Sequence, residues 1–303
     1  MMIAPKVKWS RVVENTWRSF LTDFLTCVGA YLADKHLFVH YIDFPPLIPT
    51  ILGTALAFFI GFNNNQAYDR WWEARKVWGE IVNDSRSWAR QIIHFLKPNG
   101  GDPLFVNTLK ERMVKRHIAF LYALKSNLRK SDRTLYREYL SEEDIAEIES
   151  QSNLHNAILH IQTKDLQDAY DKGYIDGFQF LELSKILIRF SDEMGKSERI
   201  KNTVFPTPYY YYTKVFTWIF IISVTIVTAD YVDMWSIAFG TMIGYVFLTT
   251  QFIGQTLVNP FDEIPTSIPL NQITRTIEIN LLEMLGYQKT PEPIQPVDDE
   301  YIM

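Results

Sequence analysis

Six histidines, one cysteine and 35 acidic residues are the groups from which this chain of 303 residues could build a reactive site. His155 and His160 lie five apart, so a helix would not place them on one face, as a metal pair needs. Glu142, Glu143 and Asp144 follow Ser141 and read as a capped helix start with a solvated face. Gly-rich phosphate loops, nucleophile elbows and cysteine clusters do not occur. The chain therefore reads as no enzyme, with no cofactor and no metal site.

The other chemistry available is that of permeation. No charged residue falls between Asp43 and Asp69, and the stretch LIPTILGTALAFFIGFNNNQAYDRWW from Leu47 to Trp72 crosses that gap. Thr54, Phe58 and Phe62 stand four residues apart and share one helical face. Gly53, Ala55, Ala57 and Gly61 are small enough for close helix approach. Asn63 to Gln66 are polar but uncharged, and Asp69, Arg70, Trp71 and Trp72 then arrive together. Such a stripe can face lipid, a neighbouring helix or a pore. In an oligomer, rings of apolar side chains form a constriction that gates by dewetting.

The elements that must carry this stripe are helical. Apolar residues make up 47% of the chain and charged residues 21%. The apolar ones concentrate in a few runs, so a near-neutral average hydropathy hides membrane-length segments. A net charge of −5 gives no reason to expect a nucleic-acid partner. The single Cys27 excludes an internal disulfide and sits in an apolar run, where it reads as an inert thiol. No cleavable signal peptide is visible at the N-terminus.

Residues 1–18 carry Lys6, Lys8, Arg11 and Arg18 with Trp9 and Trp17, a composition suited to the positive side of a membrane. Phe20 to His40 reads as a first, marginal span that requires a buried or bundle-facing Asp23. The second span runs from about 47 to 68. Residues 69–203 are charged, show helical periodicity and read as a cytosolic helical region. Its helices are expected from the second span on to about Leu96, then over Leu104–Leu128, Asn156–Tyr170 and Phe178–Met194. Pro98 to Pro103 forms a break. Residues 204–261 open on Val204-Phe205-Pro206 and four tyrosines, and contain a third span over Val215–Ala229 and a fourth over Met234–Phe261. Residues 262–303 read as a cytosolic helix near Leu270–Leu285 and an extended, proline-rich tail. Nothing reads as a strand. Loop charge places both termini in the cytoplasm of a multi-pass protein of the cell inner membrane.

The residues from Gly61-Phe62 through Asn64-Asn65 and Tyr68-Asp69-Arg70-Trp71-Trp72-Glu73-Ala74-Arg75-Lys76 closely resemble the bestrophin family in its bacterial form. Glu198-Arg199-Ile200-Lys201-Asn202-Thr203 and Asn259-Pro260-Phe261-Asp262, followed by Arg275-Thr276-Ile277-Glu278-Ile279, resemble the same family and stand in its order. The resemblance covers nearly the whole chain. It implies an all-α homopentamer around one central pore: four transmembrane helices and a cytosolic helical bundle in each copy. It implies a pore neck at Thr54, Phe58 and Phe62, with Asn64, Asn65, Asp69, Arg70, Trp71 and Trp72 as the family motif near the pore. It implies a second, cytosolic constriction at Leu181 or Phe178. Thr54 departs from the apolar residue usual at the first neck position. Animal members bind calcium through a dense acidic run after Asn-Pro-Phe, whereas only Asp262 and Glu263 stand there in this chain, too few oxygens for that ion.

The implied partners are further copies of the chain, membrane lipid and permeant monovalent ions. Those ions are chloride, as in the family at large, or sodium and potassium, as in some bacterial members. The competing reading is a membrane-anchored scaffold that binds a partner through its cytosolic helices without conducting. A coupled transporter would call for inverted repeats and several intramembrane charges, and Asp23 is the one candidate for such a charge.

Overall fold

The structure is a computed structural model that describes residues 9–38, 45–129, 134–203, 207–297 and 300–302. Lys6, Lys8, the centre of the first connection (39–44) and Val204-Phe205-Pro206 lie outside the described residues. The described chain is all-helical: α1 (Trp9–Ala33), α2 (Leu47–Phe95), α3 (Pro103–Arg129), α4 (Glu142–Glu149), α5 (Leu154–Asp171), α6 (Gly177–Asn202), α7 (Thr207–Val232), α8 (Trp235–Val258) and α9 (Leu270–Met284). Short turns of π- and 3-10-helix occupy Asp34–Phe38 and Leu135–Tyr139. An isolated bridge between Val297 and Tyr301 is the extended pairing among the described residues.

The chain divides into two compact units, and α2 runs through both. The first holds Ala4–Trp71 and Val204–Asn259. There α1, α7 and α8 pack together, and Leu56 of α2 packs with Phe220 and Val224 of α7. Three of the described helices are long and apolar enough to cross a membrane: α2, α7 and α8. The first helix is not among them; it begins at Trp9 rather than Phe20 and carries Arg11, Arg18 and Asp23 within it. Asp23 is wholly buried. It fits because Gly244 stands opposite, where a Cβ would lie 2.7 Å from Asp23 Oδ2. Hydroxyls inside these segments bond back to their own helix: Thr217 donates to the Thr213 carbonyl at 2.8 Å and Thr225 to that of Ile221 at 2.9 Å. That satisfies polar groups where water is scarce. The acidic turn between α7 and α8 places Asp233 at φ +48°, and its carboxylate accepts from Tyr31 and Lys35, each at 2.8 Å.

The second unit holds the described residues of Trp72–Thr203 and Pro260–Met303. Its core gathers Trp78 and Trp88 of α2, Phe120 of α3 and Phe190 of α6, all fully buried. Arg116 of α3 is a buried cation that ties helices together. Its Nε donates to Asp144 Oδ2 at 2.9 Å and its Nη2 to Asp144 Oδ1 at 2.5 Å, while Nη1 donates to Asp165. Ser141 caps α4 by accepting from the Asp144 backbone N–H at 3.2 Å. Asp176 and Gln179 form a capping box that starts α6. That helix continues to Asn202, beyond the Met194 end expected from sequence, because Ser197 and Ile200 extend its buried face past Gly195. The segment after Asn259 folds into this unit as well. Arg129 donates to the carbonyls of Phe261 (3.1 Å) and Ile268 (2.9 Å), and Tyr122 donates to Glu278 of α9 at 2.5 Å.

Removing a partner from a buried ion pair typically costs roughly 3–5 kcal/mol, because the other charges stay buried and unpaired. Arg116→Ala should therefore lower the melting temperature of the purified protein sharply. Arg137→Ala, which removes the half-exposed partner of Glu149, should leave it within about 1 kcal/mol of the parent. Equal shifts in the two variants would contradict this assignment.

Candidate functional site

The face of α2 that carries Thr54, Phe58 and Phe62 is largely exposed, with the Tyr209 ring, 6.5 Å from that of Phe62, at its edge. Phe58 is 71% exposed and Phe62 43%, whereas Leu56, Ile60 and Ala67 on the other side of the same helix are buried. Two large apolar rings left outward while smaller residues point inward reverse the usual amphipathic order. Thr54 is exposed, and its hydroxyl donates to the Thr50 carbonyl at 2.9 Å. The stripe is braced from the side: the Phe59 ring lies 6.1 Å from Phe58 and 5.9 Å from Tyr209. A surface of this kind has no acid, base or metal ligand. What it can do is repel water, and no group of three or more metal-ligating side chains forms among the described residues.

The family motif splits between the faces of α2, since each residue turns the helix by about 100°. Asn65 and Asp69 continue the exposed stripe. Asn64 and Arg70, expected near the pore, turn away from it. Asn64 Nδ2 donates to the Thr250 carbonyl of α8 at 3.0 Å. Gly254 permits this approach, because a Cβ there would lie 2.8 Å from Asn64 Cγ. Trp71 stacks on Tyr68 with ring centroids 6.2 Å apart, and Trp72 is 46% exposed. Asn64 thus joins helices. Sequence reasoning did not identify this interlock, although the glycines of α8 at 240, 244 and 254 were its signal.

In the second unit the exposed face of α6 begins with Phe178 (84% exposed) and Leu181 (55%). Further along the same side, α6 meets α2 through an ion-pair ladder: Arg199 with Glu73 at 2.6 Å, Lys196 with Glu80 at 3.7 Å and Arg189 with Asp84 at 2.5 Å. Glu193 sits inside the ladder, 3% exposed, with Oε2 unpaired. Burial pushes its carboxyl up to about 8, helped by the negative charges of Asp84 and Glu80. His117 is fully buried and held neutral, its pKa pushed down to about 3 by desolvation. Its Nε2 meets Ser85 Oγ at 2.8 Å and its ring stacks on Phe190 at 4.3 Å. His155 pairs with Glu198 at 2.7 Å rather than with His160. Asp262 and Glu263 are both engaged by cations, Lys201 at 3.8 Å and Arg129 at 3.4 Å.

The chain matches the family model described as bacterial and fungal bestrophin protein over residues 5–283. It is 27% identical over 302 residues to the voltage-dependent anion channel-forming protein YneE of Salmonella typhi, covering 96% of each chain. It is 29% identical over 250 residues to the Escherichia coli protein of the same name, covering 82% of this chain and 79% of that one. Among solved structures it resembles a bacterial bestrophin homologue from Klebsiella pneumoniae, with a TM-score of 0.82 at 26% identity, over 89% of this chain and 98% of that one.

The raised carboxyl of Glu193 sets a sign for pH dependence. The folded chain holds a proton that the unfolded chain releases at its ordinary 4.5. The associated stability is therefore complete below 4.5 and is lost as pH rises through about 8. Melting temperature should fall between pH 6 and pH 9, and Glu193→Gln should flatten that fall. A variant with the parent's slope would show that Glu193 does not titrate there.

Proposed function

We propose that this chain, which belongs to the bestrophin family of bacteria and fungi, is a passive channel for small monovalent ions with a hydrophobic neck at Thr54, Phe58 and Phe62. The family and its channel-named relatives point to an ion channel and not an enzyme. In this reading symmetric copies of the chain, five by family resemblance, bring their α2 stripes together around one axis. The observation that carries the reading is the outward Phe58 and Phe62, which leave a water-repelling face to be covered by copies of itself. Four helices cross the inner membrane: α1 joins α2, α7 and α8, its buried Asp23 shielded in the bundle. Residues 69–203 and both termini then lie in the cytoplasm. Phe178 and Leu181 form a second constriction there.

The neck carries no charge, so selectivity falls to dehydration cost and to charges beyond it. The relatives' names favour an anion, and the permeant species proposed here is chloride. The alternative, a non-conducting scaffold, draws its support from the same exposed surfaces used for partner binding.

Purified protein in planar bilayers under a KCl gradient tests this. The current should reverse near the chloride potential, and T54A/F58A/F62A should raise it severalfold by widening and wetting the neck. Reversal near the potassium potential would overturn the anion assignment. Silence of both proteins, with well-formed oligomers, would overturn the channel and favour the scaffold.

A further inference from the structure

Beside the stripe, the first unit holds a cavity of 290 Å³ between α2, α7 and α8. Asn63, Gln66 and Arg70 line it from α2, Tyr210 from α7, and Gln251 and Gln255 from α8. Two of its polar atoms are buried with no hydrogen-bond partner: the acceptor Asn63 Oδ1 and the donor Gln251 Nε2. Gln251 is only 8% exposed. Each such orphan costs free energy unless something in the cavity answers it. The conduction reading uses none of these atoms.

The lining dictates what can answer them. No acidic side chain borders the cavity, and Arg70 supplies a guanidinium, so the ligand is an anion and not a cation. Gln251 Nε2 requires an acceptor oxygen. Asn63 Oδ1 requires a donor on the same ligand. Ile60, Ala67 and Val258 add apolar wall beside these groups. The level is equally specific. Arg70 stands where the uncharged run of α2 ends, Tyr210 in the first turn of α7 and Val258 at the last residue of α8. That is headgroup depth for helices of membrane length. The volume lies at the lower end of small-molecule sites, enough for a headgroup and too little for a whole lipid.

We propose that this cavity binds a phosphate ester bearing a hydroxyl or ammonium donor, the chemistry shared by phospholipid headgroups and soluble glycerol phosphate. The phosphate oxygens accept from Gln251 and Arg70, and the donor meets Asn63. The site is separate from the neck, so its occupancy is read without any current.

The test uses the full chain purified in detergent, titrated with dioctanoyl phosphatidylglycerol, glycerol phosphate or dioctanoylglycerol. Bound ligand is counted by native mass spectrometry and checked by the shift in melting temperature. One phosphate-bearing ligand should bind per protomer, and dioctanoylglycerol, which lacks the phosphate, should not. Gln251→Leu and Gln251→Glu should each weaken binding roughly tenfold, the loss of one hydrogen bond to a charged group. Gln251→Glu keeps the side-chain size should the leucine variant fail to fold. Tighter binding of the lipid supports the site and places its ligand in the membrane; equal binding of glycerol phosphate supports the site and places its ligand in the cytosol. Absence of binding to the parent would overturn the proposal and leave the cavity to water. So would unchanged binding in both variants, or binding of dioctanoylglycerol as tight as that of the phospholipid.

Discussion

The constraint on which the rest depends is that α2 stays one unbroken helix of 49 residues while its surroundings change along it. At 1.5 Å per residue it is about 74 Å long. Its first half must live among apolar side chains, and its second half among ion pairs. One face is buried throughout, from Leu56 and Ile60 through Ala67, Ala74 and Trp78 to Trp88 and Ile92. The opposite face is exposed at Thr54, Phe58, Phe62, Asn65 and Asp69. Two large aromatic residues pointing outward leave an apolar surface of the kind that lipid or another protein copy covers.

Holding that helix in place needs close contacts in the first unit and charged ones in the second. Glycines on α8 allow Asp23 and Asn64 to lie where any Cβ would exclude them. Threonine hydroxyls answer their own helices, so the apolar segments contain polar atoms at low cost. In the second unit Arg116 bridges two aspartates, and three pairs join α2 to α6. Glu193 is the member of that ladder without a cation of its own at contact distance, and its burial makes the junction sensitive to alkaline pH.

Much of this was legible in the sequence. The charge gap from Asp43 to Asp69 located the membrane half of α2, and the four-residue spacing of Thr54, Phe58 and Phe62 put them on one face. Ser141 and the Pro98–Pro103 break marked a helix start and a stop. Other features were not legible, because they depend on pairs distant in sequence. Arg116 with Asp144 and Asp165, Tyr122 with Glu278, and Asn64 with Gly254 are brought together by tertiary packing, and no local spacing announces them. α6 runs on past Met194 and Gly195; the buried Ser197 and Ile200 show that packing outweighs the small helix cost of one glycine. The motif around Arg70 reads as one block in sequence, yet helical rotation sends its members to opposite faces.

The central claim is that the exposed stripe of α2 lines a water-filled path. The only native cysteine, Cys27, is fully buried, so an introduced thiol reports on its own position. The decisive measurement is block of bilayer current by a charged, water-soluble thiol reagent in Phe58→Cys, compared with Ile60→Cys on the buried face. The account predicts rapid block at position 58 and none at position 60. Current that persists after complete labelling of position 58, or equal block at both positions, would contradict it.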